Sequence, residues 1–64
     1  MKIDIEDILY ELDDLKYEFE LDGVELTEED ALAVVRYMDL GESKKTAMAL
    51  VLAEIREVLD DGLE

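Results

Sequence analysis

Apolar residues recur at three- and four-residue steps in three stretches of this chain, a spacing that predicts three α-helices near residues 3–20, 28–39 and 44–60. In the first, Ile5, Ile8, Leu12, Leu15 and Phe19 keep the step and Leu9 widens the stripe. In the second, Ala31, Leu32, Val34, Val35 and Met38 form the inward face. In the third, Met48, Val51, Leu52, Ile55, Val58 and Leu59 share one side. The unbroken run Ala47–Ala53 makes the start of that helix apolar nearly all round, so it needs cover from two neighbours or from a second copy. The pattern predicts an all-α fold: one small helical domain over 1–64, a three-helix bundle with the third helix central, and a homodimer through that helix as the other way to cover it.

The ends of these stretches carry their own signals. Ser43 is placed as an N-cap, its oxygen accepting from a free N–H of the first turn, and Gly62 as a left-handed stop. Thr27 followed by Asp30 makes a reciprocal cap for the second helix, with acids in its positive first turn. Gly41 closes that helix, and Gly41-Glu42-Ser43 leaves only a tight corner before the next. One stretch supports two structures. Around Asp22-Gly23, residues Tyr17, Phe19, Leu21, Val24 and Leu26 alternate as a β-hairpin would, giving an α+β alternative with a short hairpin at 17–26. The helical stripe runs through Phe19 without a break, and an isolated two-stranded hairpin is marginal in water, so helix is the expectation.

Charge changes the picture more than any motif. Twenty acidic residues stand against six basic ones, a formal charge of −14. Residues 1–30 hold thirteen of the acids and two lysines, whereas residues 31–56 hold three acids and four bases. Such a field repels phosphate backbones and anionic lipid and attracts basic surfaces. The longest apolar run falls far short of the about 18 residues a membrane span needs, and Met1-Lys2 leads directly into acids rather than into a signal peptide. A cytoplasmic protein with no membrane partner is expected.

Catalysis is poorly supplied. The chain has no histidine, cysteine, asparagine or glutamine, and its one serine is needed as a cap, so nucleophilic triads are excluded and the protein reads as not an enzyme. No cofactor is implied. Glu18-x-Glu20-x-Asp22-Gly23 followed by Glu29 has the outline of an EF-hand loop, but it opens on glutamate and has Glu25 where an apolar residue belongs. Leu40-Gly41-Glu42-Ser43-Lys44-Lys45-Thr46-Ala47 resembles the turn and recognition-helix start of helix-turn-helix proteins. It equally resembles the G-x-S link of ribbon-helix-helix proteins, with Val24-Glu25-Leu26 as a strand remnant. Either resemblance implies Lys44 and Lys45 near phosphate; four bases flanked by carboxylates are a thin supply for it.

The outward side of the first helix carries the candidate site. Asp4, Asp7, Glu11, Asp14 and Glu18 form an acidic ladder, and Ile3, Tyr10 and Tyr17 stand seven apart beside it. Tyrosines beside carboxylates suit a protein-binding surface, the rings supplying buried area and the acids steering and register; the alternative is that the rings lie against the third helix or the following loop. Asp7, Tyr10, Glu11, Asp14, Tyr17 and Glu18 are therefore the expected partner-binding residues of a non-enzymatic acidic module that docks on a basic protein. If that partner binds nucleic acid, the module would mimic phosphate charge, in the manner of small phage-encoded inhibitors of host nucleases or polymerases. The alternative is a self-associating structural or regulatory module with a helix-turn-helix-like or ribbon-helix-helix-like corner and weak DNA binding. The lysines at the start of helix 3 could equally pair with the acids of helix 1.

Overall fold

The computed structural model describes residues 4–62. It contains α1 (Ile5–Leu15), a 3-10 turn (Lys16–Phe19), α2 (Glu28–Asp39) and α3 (Lys44–Asp61), packed as an all-α three-helix bundle. No strand forms among the described residues, so the hairpin alternative at 17–26 is not adopted. Ile3, expected at the start of the first helix, lies outside the described residues.

The first helix ends earlier than its apolar stripe. Asp4 caps its start, accepting from the Glu6 N–H at 3.0 Å. At Lys16 the α geometry tightens into the 3-10 turn, and Glu20 takes a left-handed conformation with φ 58°. That reversal returns the chain so that Leu21, only 1% exposed, drops into the core. Gly23, with φ 84°, belongs to the following turn, where the Val24 N–H bonds the Leu21 carbonyl at 3.0 Å. Burial of Leu21 offsets the cost of about 1–2 kcal/mol that a left-handed non-glycine residue carries.

The predicted caps of the later helices are in place at their N-termini. Asp30 accepts from the Thr27 N–H at 2.9 Å, and Ser43 accepts from the Thr46 N–H at 3.2 Å. Gly41 has φ 103° and turns α2 into α3. Gly62, with φ −80°, is right-handed, so the expected left-handed stop is absent; its N–H simply continues the helical bond to Val58.

The core consists of Ile8 and Leu12 from α1, Leu21 from the link after the 3-10 turn, Ala31 and Val34 from α2, and Ala47, Met48, Val51 and Leu52 from α3. The third helix thus supplies the largest share, as its pattern predicts. The second helix nevertheless lies closest to both others, because the residues it turns inward, Ala31 and Val34, are small. Three expected core positions are not enclosed: Leu32 is 45%, Leu59 42% and Val58 69% exposed. Leu50 and Ala53, on the opposite side of α3, also face outward, so the apolar run at its start is covered on one side only.

The direction of α3 relative to α1 explains the exposed end. Lys44 pairs with Glu11, and Arg56 reaches the carbonyls of Phe19 and Glu20, so both segments run in the same sense. The first segment turns away at Glu20, whereas α3 continues through Asp61. Among the described residues no helix is long and apolar enough to cross a membrane.

Candidate functional site

Helix geometry sets the outward arc of α1. With Ile8 and Leu12 buried, residues three and four apart on the other side, Asp7, Tyr10 and Asp14, face solvent. Tyr10 is 81% exposed and Tyr17, in the 3-10 turn, is 57% exposed. Glu18 is exposed and Glu11 is half-buried. The six expected residues therefore lie on one side of the first segment, but the fold does not gather them into one groove: Glu11, Asp14 and Glu18 border one, Tyr10 another, and Asp7 and Tyr17 neither.

Glu11, Asp14 and Glu18 border the first groove, of about 330 Å³, whose far bank is Lys44 and Lys45 at the start of α3. Lys44 Nζ lies 2.6 Å from Glu11 Oε2. This accounts for Lys44 at a helix N-terminus, where cations oppose the dipole: Glu11 supplies the compensating charge, and Lys45 borders the same groove as Asp14 and Glu18. It also removes Glu11 from the free carboxylates, leaving Asp7, Asp14 and Glu18 without an ion-pair partner among the described residues. Lys44 and Lys45 sit among carboxylates rather than on an open basic face, and that arrangement does not favour phosphate.

The second groove, of about 490 Å³, runs between α1 and the extended segment at 24–26. Leu9, Val24 and Leu26 form its floor, with Glu6, Tyr10 and Asp13 along its edge. At its end lies Lys16, 8% exposed and the only buried charged residue among those described. Its ammonium donates to the Val24 carbonyl at 2.9 Å and pairs with Asp13 at 2.8 Å. It also stands 5.5 Å from the centre of the Tyr17 ring, a cation–π distance. The Asp13 hydrogen bond raises the Lys16 pKa above 10.5, outweighing the opposing effect of desolvation, with the charges of Asp13, Tyr17 and Asp22 acting in the same direction as the bond. Lys16 is therefore a fixed cation at neutral pH, a clamp rather than a proton acceptor.

Sequence reasoning passed over Lys16, although a signal was present: it follows Leu12 by four residues and Leu9 by seven, directly on the apolar stripe. Arg56 was passed over as well. Its guanidinium donates to the carbonyls of Phe19 at 3.4 Å and Glu20 at 3.1 Å, closing the end of the 3-10 turn from α3, and it pairs with Asp60 at 3.4 Å. Nothing in the sequence distance between residues 20 and 56 announces that contact.

Elsewhere, the Tyr37 hydroxyl donates to the Glu54 carboxylate, tying α2 to α3. That bond raises the Tyr37 pKa, with desolvation and the Glu54 charge adding to it. Among the described residues no cluster of three or more carboxylates converges on a metal-sized site, the EF-hand outline included. Compared with family models, with curated proteins and with solved structures, the chain matches none.

Proposed function

We propose that the protein is a non-enzymatic acidic module that docks on a basic surface of a partner protein through the outward side of α1. The observation that carries this reading is Tyr10, a large ring 81% exposed between Asp7 and Asp14, which have no ion-pair partner among the described residues. An aromatic side chain is a costly thing to leave in water, and tyrosine is enriched where surfaces are later covered by protein. Asp7, Asp14 and Glu18 supply steering and register beside it. In the narrower form of the proposal the partner binds nucleic acid, and the carboxylates of α1 occupy the place of its phosphates. DNA binding by this chain itself is the weaker reading, because Lys44 is already paired with Glu11.

The test is affinity capture from lysate with reversal variants. Replacing Asp7, Asp14 and Glu18 by lysine leaves the core stripe untouched and is expected to weaken capture by about tenfold or more, mainly through slower, salt-sensitive association. Tyr10→Ala acts through faster dissociation. Undiminished capture by the triple variant, or loss of capture on replacing Lys44 and Lys45 instead, overturns the reading. Glu11 is left out of the reversal because its replacement would also break the tie to α3.

A further inference from the structure

The third helix is charged against its own dipole at both ends. Its first turn carries Lys44 and Lys45 and no acid, and its last turn carries Asp60 and Asp61 and no base. A helix is positive at its N-terminus and negative at its C-terminus, so each arrangement is unfavourable alone. At the N-terminal end the fold supplies the remedy, with Glu11 at 2.6 Å from Lys44. At the C-terminal end it does not. Arg56 is taken up by Asp60 and by the carbonyls of Phe19 and Glu20, and Asp61 has no ion-pair partner among the described residues. Glu20 and Asp22, across from the same turns, add further negative charge.

Along these turns the apolar stripe continues without cover. Ile55 is half-buried, Leu59 is 42% and Val58 69% exposed. Val58 and Leu59 line a shallow depression with Ile55 on one side and a groove of about 490 Å³ with Val24 on the other. Glu54 borders the first, and Glu20, Asp22 and Asp60 border the second together with Arg56, whose charge Asp60 and the carbonyls at 19 and 20 already take up. The result is one apolar strip with Glu54 on one side and Glu20, Asp22 and the Arg56–Asp60 pair on the other, at the negative end of a helix.

We propose that this strip seats a cationic amphipathic helix of a partner protein. Apolar residues of that helix, spaced at three- and four-residue steps, would cover Ile55, Val58 and Leu59, and its lysines or arginines would meet Glu20, Asp22 and Asp61, which have no ion-pair partner among the described residues, and complete the charge that α3 lacks. A second copy of this chain fits poorly, because it would bring the same carboxylates against these. An anionic lipid surface is repelled for the same reason. The strip is separate from the α1 surface and does not depend on its reading.

The probe is a synthetic leucine–lysine amphipathic helix of about four turns, compared with a peptide of identical composition in scrambled order. Each is titrated into the isotope-labelled full chain and followed by amide chemical shifts. The amphipathic peptide is expected to move residues 54–62 and 20–24 saturably, and the scrambled one is not. Val58→Ser with Leu59→Ser, and separately Asp22→Lys with Asp61→Lys, are expected to weaken binding by about tenfold or more; Asp60 is left in place because it pairs with Arg56. All four side chains are exposed, and circular dichroism verifies that the helices persist. Asp7→Lys with Asp14→Lys is expected to change binding by less than about twofold, so failure of this proposal and failure of the α1 proposal are told apart. Equal response to the scrambled peptide, shifts centred on α1, or no shift at all overturns the proposal. So does a dimer in sedimentation whose formation moves residues 55–59, which would assign the strip to a second copy.

Discussion

Lys16 occupies the place after Leu12 where the apolar stripe of α1 calls for another hydrophobic side chain. Its methylene stem fills that place, and the ammonium turns sideways to Asp13 and the Val24 carbonyl. Because its pKa is raised in the fold, the stability it contributes is complete below its unfolded value near 10.5 and is lost as pH rises through the folded value. Tyr37 has the same sign, raised from 10.0, since ionising it would break its hydrogen bond to Glu54 and leave a phenolate against that carboxylate. Urea midpoints measured against pH are therefore expected to fall above about pH 10, and to fall less steeply in Lys16→Met and Tyr37→Phe, each compared with its own value at neutral pH. Leu52, with no exposed surface, is the apolar counterpart: Leu52→Ala is expected to cost about 2–5 kcal/mol by urea denaturation, a large fraction of what so small a domain has.

At the scale of elements, two left-handed positions make opposite predictions. Glu20 has φ 58° with a side chain that opposes it, so Glu20→Gly is expected to stabilise by about 0.5–1 kcal/mol, the relief of the left-handed cost less the added freedom of the unfolded chain. Its carbonyl, which receives Arg56, is unaffected. Gly41 has φ 103° and open space around it, so Gly41→Ala is expected to destabilise by about 1–2 kcal/mol through the backbone and not through a clash. Chemical denaturation of the two variants in parallel checks both signs. The caps at Thr27 and Ser43 are legible in the sequence because capping is decided within four residues. The end of α1 is not, because what ends it is the burial of Leu21 and the grip of Arg56, both supplied from other parts of the fold.

At the scale of the whole molecule, repulsion among twenty acidic residues opposes the compact state, and the ion pairs that offset it are few and mostly exposed. Moderate salt screens the diffuse repulsion at little cost to exposed pairs, so the melting temperature is expected to rise with added salt in thermal scans of the chain alone. A fall would mean that Lys44–Glu11 and Lys16–Asp13 outweigh the repulsion. The same excess charge gives the two proposed docking surfaces their common preference for cationic partners, although they lie on different elements.

Three helices, their apolar faces and the N-terminal caps of the later two follow from the sequence alone, since helical periodicity and capping are local and each stretch states its own pattern. Periodicity also sets Tyr10 opposite Ile8 and Leu12, but that its ring stays in solvent and does not fold against α3 or the following loop is decided by the packing. What periodicity cannot state is how far a neighbour extends. Ile55, Val58 and Leu59 repeat the spacing of Val51 and Leu52, yet only the latter pair is buried, because the first segment turns away at Glu20 while α3 runs on. Nor can it state which charges meet: Glu11 with Lys44, and Arg56 with the carbonyls at 19 and 20, are joined only when α1 and α3 lie side by side in the same sense. Faces are a property of each helix by itself, whereas cover and pairing depend on relative position, which only tertiary packing decides.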